Sequence, residues 1–374
     1  MAFITSFLRV VNPQVEIRHV NVAEETEKGK IDHEFVAFDV KNVTVSTAFA
    51  AKRLAKKMGK AIFPLLEELA KNAKDKDKRD RILKTKAWVD KKAVWHPALV
   101  AECAGVLLSK MRSDGVFDDI RLSYKEICTD VAVISILHDV GRLSEVDVAQ
   151  GTVNMKHSGL NKNHAEIGFD SLKSAKIKPE ILLAIKYHEF ADVDEAKNDE
   201  IYINISEENK KIAELYIRIL QDMDKTANLK ERAEFGIKKC AEFTDPRYVQ
   251  DYDLTEEYLQ KAMGGNYLNL KGGHLLDAMM RFVTWTYSIH FKQTKEMLTG
   301  VLTDFFQQMY GEAVREYEKA DDKDSVRLAA TLEKITRLED YAIAERMRMK
   351  IDEKKRQKIG RQIAELSNKA LKGK

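Results

Sequence analysis

The first fifty residues carry the alternating hydrophobic pattern of β-strands. Apolar and polar positions alternate along 17–22 and 35–45, and a polar segment rich in Glu, Lys and Gly separates the two runs. This pattern predicts a β-hairpin at the N-terminal end of the chain. His19 and His33 fall within it without a histidine or cysteine partner at metal-ligand spacing, so we expect both to be ordinary strand or loop residues.

The pattern changes at Ser46, where apolar residues begin to recur every three or four positions, as in an amphipathic helix. We predict a helix over 46–71, in which Pro64 either introduces a kink or starts a new helix. The segment 71–81 contains six basic residues, three acidic residues and no large apolar side chain, which favours a solvated linker or an exposed helix face. Helical periodicity then dominates over about 88–229.

A second helical block covers about 231–311 and is interrupted at Gly264 and Gly265, which we interpret as a helix end and a turn. Within it, the apolar stretch 275–291 predicts a core helix or a dimer surface, too short to span a bilayer. The chain is therefore predicted to be mainly α and to have five parts: a small β-containing segment (1–50), a charged helical segment or linker (51–90), a helical core (91–230), a helical extension packed on that core (231–311) and a charged, basic-ended helical tail (312–374).

Composition narrows the class of protein. Apolar residues make up 44% of the chain, so a sizeable core can form, and the 33% of charged residues suits long solvated helices. The 63 basic and 60 acidic residues leave a net charge of +3, which gives no global argument for binding nucleic acid. Three cysteines without CxxC spacing, and no signal peptide or membrane-length apolar run, predict a soluble cytoplasmic protein with reduced thiols and no membrane partner.

The pair His138 and Asp139 follows a strongly apolar run, 131–137. A buried carboxylate is unfavourable unless it is paired or bound to a metal ion. Four more potential ligands stand beside predicted apolar helices: His96, 42 residues upstream of His138, then His164, 26 residues downstream, His188, 24 residues further, and Asp224, another 36 residues on. A helical bundle can direct such side chains into one site, and imidazole and carboxylate ligands suit zinc, iron, manganese or similar ions.

The same residues carry a resemblance to a known family. The order H, HD, H, H, D over about residues 90–230 resembles the HD-domain phosphohydrolase superfamily in its two-metal form. The flanking segments are similar too: HDVGR (138–142) resembles the usual HDxGK, NHAEIGFDSL (163–172) the H-x-E-I-G helix, and QDMDKTANL (221–229) the helix usually written DADKL. The resemblance implies an HD-domain helical bundle, here with a small N-terminal β element and a charged C-terminal helical extension.

The resemblance also implies a role for each ligand. The six would divide between two ions: His96, His138, Asp139 and Asp224 at the first, with Asp139 bridging to a second that His164 and His188 complete. Two divalent transition-metal ions (Fe, Mn, Zn, Co or Ni) would activate a hydroxide that hydrolyses a phosphoester or phosphoanhydride bond. Asp139 and Arg142 are the catalytic candidates in this scheme.

Three residues are candidates for contacting the substrate phosphate. Arg142 stands where the family more often has Lys after HDxG; it keeps the positive charge and can bind phosphate through two hydrogen bonds. Lys225 follows Asp224, although a lysine on a helix is more often simply solvated. His157 lies in the loop 151–159, where it would either donate to the phosphate or be an ordinary surface residue.

The substrate expected from the resemblance is a small phosphate compound, a nucleotide above all. After His188 there is no second adjacent histidine and no GYP, which argues against the HD-GYP cyclic-di-GMP phosphodiesterases and departs from many CRISPR-associated HD nucleases.

Two alternatives stay open: an HD-type nuclease acting on single-stranded nucleic acid, and a non-catalytic HD-fold nucleotide-sensing module. The nuclease has one support, eleven Lys/Arg against four Asp/Glu in 345–374, and that tail has no aromatic residue for base stacking. Nucleic acid is therefore the less favoured partner, and a homodimer is an open alternative.

Overall fold

The computed structural model describes residues 8–12, 15–26, 29–41, 43–153, 162–189, 193–236, 248–249, 253–268, 273–317, 324–346, 357, 361 and 364. The protein is mainly α, as predicted, and divides into two compact units, Met1–Met223 and Asp224–Lys374. His157 and most of the basic tail lie outside the described residues. Among the described residues, no helix has both the length and the apolar character needed to cross a membrane.

The first unit opens with the predicted hairpin, which belongs to a five-stranded antiparallel sheet with its strands in chain order. The strands are β1 (Leu8–Asn12), β2 (Val15–Thr26), β3 (Gly29–Val40), β4 (Val146–Asp147) and β5 (Thr152–Val153). Val15 pairs with Val40 and Ile17 with Phe38, and all four are buried, so these cross-strand pairs hold one face of the hairpin in the core. The predicted second strand was too long, because β3 ends at Val40 and Thr44 makes only an isolated bridge.

The two histidines of the sheet have structural partners, as expected. His33 Nδ1 lies 2.6 Å from Asp147 Oδ2, and the backbone N–H of Glu34 donates to Asp147 Oδ1 at 3.1 Å. His19 Nδ1 lies 2.5 Å from Glu34 Oε1. The buried Asp147 carboxylate thereby ties the hairpin to β4, which follows directly on the segment that carries Asp139 and Arg142.

Eight helices of the described chain begin in the first unit: α1 (Ala48–Asn72), α2 (Lys76–Asp90), α3 (His96–Ser113), α4 (Tyr124–Leu137), α5 (His164–Leu172), α6 (Pro179–Tyr187), α7 (Glu200–Asn204) and α8 (Glu207–Phe235). Thr47 caps α1, which runs through Pro64, so no new helix starts there. Of the two alternatives for 71–81, the exposed helix face is confirmed, because this mostly exposed segment is the end of α1 and the start of α2. The first backbone N–H groups of α2 donate to Asp75. Cys103 is buried and Cys128 half-buried, and neither forms a disulfide with a described residue.

A buried aspartate connects three helices of the first unit through its side-chain hydrogen bonds. Asp130 on α4 accepts hydrogen bonds from Lys178 Nζ at 2.7 Å, just before α6, and from Tyr216 Oη on α8 at 2.9 Å. Burial raises the pKa of the Tyr216 hydroxyl, and the neighbouring Asp130 carboxylate raises it further, so the phenol stays protonated and donates. This network fixes the middle of α4 and the start of α6 relative to α8.

The second unit has its own core, built from α9 (Glu256–Met263), α10 (Leu275–Trp285), α11 (Lys292–Tyr317) and α12 (Asp324–Asp340). Helix α9 ends as predicted: Gly264 is its C-cap residue, and Gly265 has a φ of +78°. The predicted helix over 275–291 is shorter, because a 3-10 turn, Thr286–Ser288, follows Trp285. Its apolar residues lie in the core, and α11 continues through Gly311.

Candidate metal centre

Five of the six side chains predicted as ligands come together in overlapping groups within the first unit. Two sets offer ligand atoms that lie within 4.8 Å of one another: His96 with His138 and Asp139, and Asp139 with His164 and His188. Asp224 is the first residue of the second unit, and it lies on α8, which runs unbroken from the first unit. The described chain therefore contains a His/Asp cluster that could bind metal ions, as the spacing of these residues predicted.

Helix ends position most of these ligands. His96 and His164 are the first residues of α3 and α5, and His138 and His188 cap the C-terminal ends of α4 and α6. The start of α5 is fixed by a capping box, in which the Glu166 N–H donates to Asn163 at 2.9 Å and the Asn163 N–H donates back to Glu166 at 3.2 Å.

Two histidines are oriented by the same local hydrogen bond, from the ring to a backbone carbonyl. Nδ1 of His138 lies 2.8 Å from the Ser135 carbonyl, and Nδ1 of His188 lies 2.8 Å from the Ile185 carbonyl, each three residues earlier. Because a carbonyl can only accept, Nδ1 must carry the proton in both rings, and Nε2 keeps its lone pair. Metal-binding histidines are oriented in this way, with one nitrogen donating to the protein and the other free for the ion.

His164 is oriented by a carboxylate. Its Nδ1 lies 3.0 Å from Glu189 Oε1, which leaves Nε2 facing the cluster, 3.2 Å from His188 Nε2. Burial lowers the pKa of His164 well below its usual value, and the charge of Arg142 lowers it further, so the ring is neutral. With Nδ1 donating to Glu189, Nε2 of His164 directs its lone pair towards His188 Nε2 and Asp139, an arrangement that fits a metal ion.

Asp139 is the carboxylate at the middle of the cluster. Its oxygens lie 3.2 Å from His164 Nε2 and 3.8 Å from the Nε2 atoms of both His96 and His138. Two ligands of one ion are separated by at most about 4.4 Å, since each ligand bond is about 2.0–2.2 Å long. These separations therefore fit metal coordination without rearrangement of the backbone.

Cations keep Asp139 ionised. Lys92 Nζ donates to Oδ2 at 3.0 Å, and Arg142 Nε donates to Oδ1 at 3.0 Å. Burial alone would raise the pKa of Asp139, but the charges of Lys92 and Arg142 outweigh it and hold the pKa well below its usual range. The carboxylate is thus ready to bind a metal ion at any pH near neutrality.

Sequence reasoning missed three residues of this site: Lys92, Glu145 and Glu189. Lys92 lies in a π-helical turn, Lys91–Trp95, directly before His96, and a lysine in a charged helical segment gives no signal of burial. Glu189 follows His188, so its position next to a candidate ligand was the available signal. Its carboxylate meets both His164 and, at 3.6 Å, Arg142 Nη2.

The substrate candidates have different surroundings. Arg142 lies at the cluster, where its guanidinium contacts Asp139 and, through Nη1 at 3.3 Å, Glu145. Lys225 donates to Ser288, to the carbonyl at 3.0 Å and the hydroxyl at 2.9 Å, so its ammonium is engaged by that residue. His157 lies outside the described residues.

Glu145 gives the site a titratable group near neutral pH. Burial raises the pKa of its carboxyl from 4.5 to about 7, against the opposing charge of Arg142, and its Oε2 has no hydrogen-bond partner among the described residues. A raised carboxyl pKa favours the folded state while the group is protonated, so this stability is present below about pH 4.5 and is lost as the pH rises through 7.

We therefore expect Glu145→Gln to remove part of the pH dependence of stability. The difference between 4.5 and about 7 corresponds to roughly 3 kcal/mol. In urea unfolding with a chelator present, the wild-type protein should lose about 2–3 kcal/mol relative to the variant between about pH 5 and pH 8. Parallel curves for the two proteins would show that Glu145 does not titrate in this range.

The chain was compared with protein-family models, with curated proteins and with solved structures, and none of them matches. The candidate metal centre is defined by its own donor atoms and their surroundings. Those donors are buried imidazoles with defined tautomers and an ionised carboxylate, a set that suits borderline divalent ions.

Proposed function

We propose that this protein is a metal-dependent phosphohydrolase of the HD type, which hydrolyses a phosphoester or phosphoanhydride bond of a nucleotide. The observation that carries the proposal is the meeting of His164 Nε2 and His188 Nε2, 3.2 Å apart, with both Nδ1 atoms engaged by protein acceptors. A structural role would pair such nitrogens with donors. Here they face one another beside an ionised carboxylate, which supports a cation site.

Two ions are supported by the way the groups overlap. Asp139 belongs to the set with His96 and His138 and also to the set with His164 and His188. One carboxylate shared by two ligand sets is the arrangement of a bridging ligand in two-metal hydrolases. His96 and His164 each belong to one set, so they are the ligands with which the two ions can be distinguished.

The chemistry needs both the ions and the side chains around them. Bound divalent ions would lower the pKa of an attacking water and neutralise the phosphoryl oxygens. Lys92 and Arg142 donate to Asp139 and are partly exposed, at 15% and 22% of their side chains. Once metal ions share the negative charge of Asp139, the side chains of Lys92 and Arg142 are placed to donate to a phosphate group. Arg142 can do so with two parallel N–H groups. Glu189 holds His164 in its tautomer.

The experiment is metal loading followed by a substrate screen. Chelator-stripped protein is reloaded with Mn, Fe, Co, Ni or Zn, metal per chain is measured, and phosphate release is followed for nucleotides and for a model phosphodiester. We expect His164→Gln to bind one ion fewer and to lose activity by more than about 100-fold, since replacing even a residue that only orients a metal ligand costs about 10–100-fold.

The matched control is His290→Gln, because His290 is exposed and belongs to none of the ligand sets. It should keep the metal content and the activity of the wild-type protein. Unchanged metal content in His164→Gln would exclude His164 as a ligand of the second ion. Full loading of the wild-type protein without hydrolysis of any nucleotide or diester would favour the non-catalytic sensing module.

A further inference from the structure

Helix α1 carries an uncompensated run of positive charge. Between Asp39 and Glu67 the chain has no acidic residue, whereas the helix places five cations within nine positions: Lys52, Arg53, Lys56, Lys57 and Lys60. The whole chain has a net charge of only +3, so this concentration is local. We call these five residues and Phe49 the α1 face.

The five cations have no side-chain ion pair or hydrogen bond with any residue that the structure describes. Four of them are exposed and Lys57 is half-buried. Other surface lysines differ, since Lys41 contacts Glu16 at 2.9 Å and Lys173 contacts Asp170 at 2.9 Å. Like charges four residues apart on a helix repel each other, so the α1 face is destabilised until an anion covers it.

An exposed aromatic ring lies beside these charges. Phe49 is 77% exposed and stands one helical turn before Arg53. It lines a groove together with Arg53, Lys57 and Val43. A large apolar ring in water next to guanidinium and ammonium groups is the combination that binds single-stranded nucleic acid, in which cations follow the phosphates and aromatic rings stack on bases.

The opposite side of α1 argues against a lipid surface. Leu54, Met58 and Ile62 are 0–3% exposed and belong to the core of the first unit. A helix that binds a bilayer inserts its apolar face among the lipids, and here that face is occupied by protein. The exposed side offers charge and one aromatic ring, which suit a flexible polyanion with bases.

We propose that the α1 face binds single-stranded nucleic acid, with its cations on the phosphates and Phe49 stacked on a base. The charges extend over about 12 Å, eight helical steps of about 1.5 Å each. None of the residues of the α1 face belongs to a ligand set of the candidate metal centre, so we expect binding to require neither metal ions nor turnover. It differs from the basic tail, because its cations lie on a folded helix and have an aromatic neighbour.

The test measures binding of a labelled single-stranded oligonucleotide to the full chain, with a chelator present, between about 50 and 200 mM salt. Lys52→Gln/Lys56→Gln/Lys60→Gln should weaken binding at least about tenfold and reduce the slope of log Kd against log salt by about 2, since each phosphate contact on a single strand contributes about 0.7. Phe49→Ala should weaken binding at least about fivefold through lost stacking.

The matched control is Arg121→Gln/Lys125→Gln/Lys211→Gln, which removes the same charge from exposed positions elsewhere on the first unit. It should change Kd less than the α1 variant. Equal weakening by both triple variants, or no binding by the wild-type protein, overturns the proposal.

Binding to anionic vesicles that the α1 substitutions abolish, without oligonucleotide binding, would assign the face to a membrane. Hydrolysis of a small phosphodiester, measured in parallel, should be unchanged by the α1 substitutions, so the two proposals fail separately.

Discussion

Asp139→Asn should abolish the binding of both proposed metal ions and, with it, the proposed hydrolysis. The carboxylate is shared by the two ligand sets, so removing its charge weakens both at once, whereas any single histidine outside the overlap affects one set. We expect metal affinity to fall more than about 100-fold at each site, beyond the roughly 10–100-fold that follows from replacing a residue that only orients a ligand. Metal content after gel filtration and the rate of phosphate release measure the two effects.

The same substitution tests how Lys92 and Arg142 are held. Without the negative charge of residue 139, both cations lose a partner at 3.0 Å. Breaking a buried pair costs about 3–5 kcal/mol, and the partial exposure of these two side chains reduces this to about 1–3 kcal/mol in metal-free protein. Adding Lys92→Met to Asp139→Asn should recover part of that loss in urea unfolding.

Asp130→Asn is the matched control, since Asp130 is a buried aspartate on α4, the helix that precedes Asp139, and its contacts are with Lys178 and Tyr216. It should lower stability while leaving metal content unchanged. If Asp139→Asn retained two ions per chain, Asp139 would not be the bridging ligand.

The residues of the site could be identified from sequence because their chemistry is unusual where they occur. A histidine and an aspartate directly after an apolar run stand out, and the same holds for a histidine at the start or end of an apolar helix. Lys92 could not be found in this way. Its role depends on a π-helical turn that brings its ammonium to a carboxylate 47 residues later, and composition alone assigns such a lysine to the solvent.

The same distinction holds for the fold. The β-hairpin and the helices follow from local periodicity, which reports which face of each element is buried. Their ends depend on backbone geometry that periodicity does not register. The apolar pattern continues after Trp285, the last residue of α10, although the chain there adopts a 3-10 turn. Helix α1 likewise continues through Pro64, because packing of its buried face outweighs the missing N–H.

Gly141→Ala should have the second large effect, on folding and on the position of His164. A Cβ at residue 141 would lie 1.9 Å from the His164 carbonyl oxygen and 2.5 Å from the Gly168 nitrogen, both in the backbone of α5. Because the atoms that the new Cβ would meet belong to the backbone and not to a flexible side chain, α5 must move to make room. Overpacking of this kind costs about 1–3 kcal/mol or more, and a ligand displaced by about 1 Å can lose about 100-fold in activity.

Gly105→Ala provides the matched control, because Gly105 is exposed in the middle of α3 and a Cβ there has no atom within 4 Å. That substitution should stabilise the protein by about 0.5–1 kcal/mol through helix propensity and leave metal content unchanged. Thermal unfolding and metal analysis of the two variants separate a close approach at residue 141 from a general effect of replacing glycine. Wild-type stability and two bound ions in Gly141→Ala would show that the turn after Asp139 does not need glycine to bring α5, and with it His164, to the metal centre.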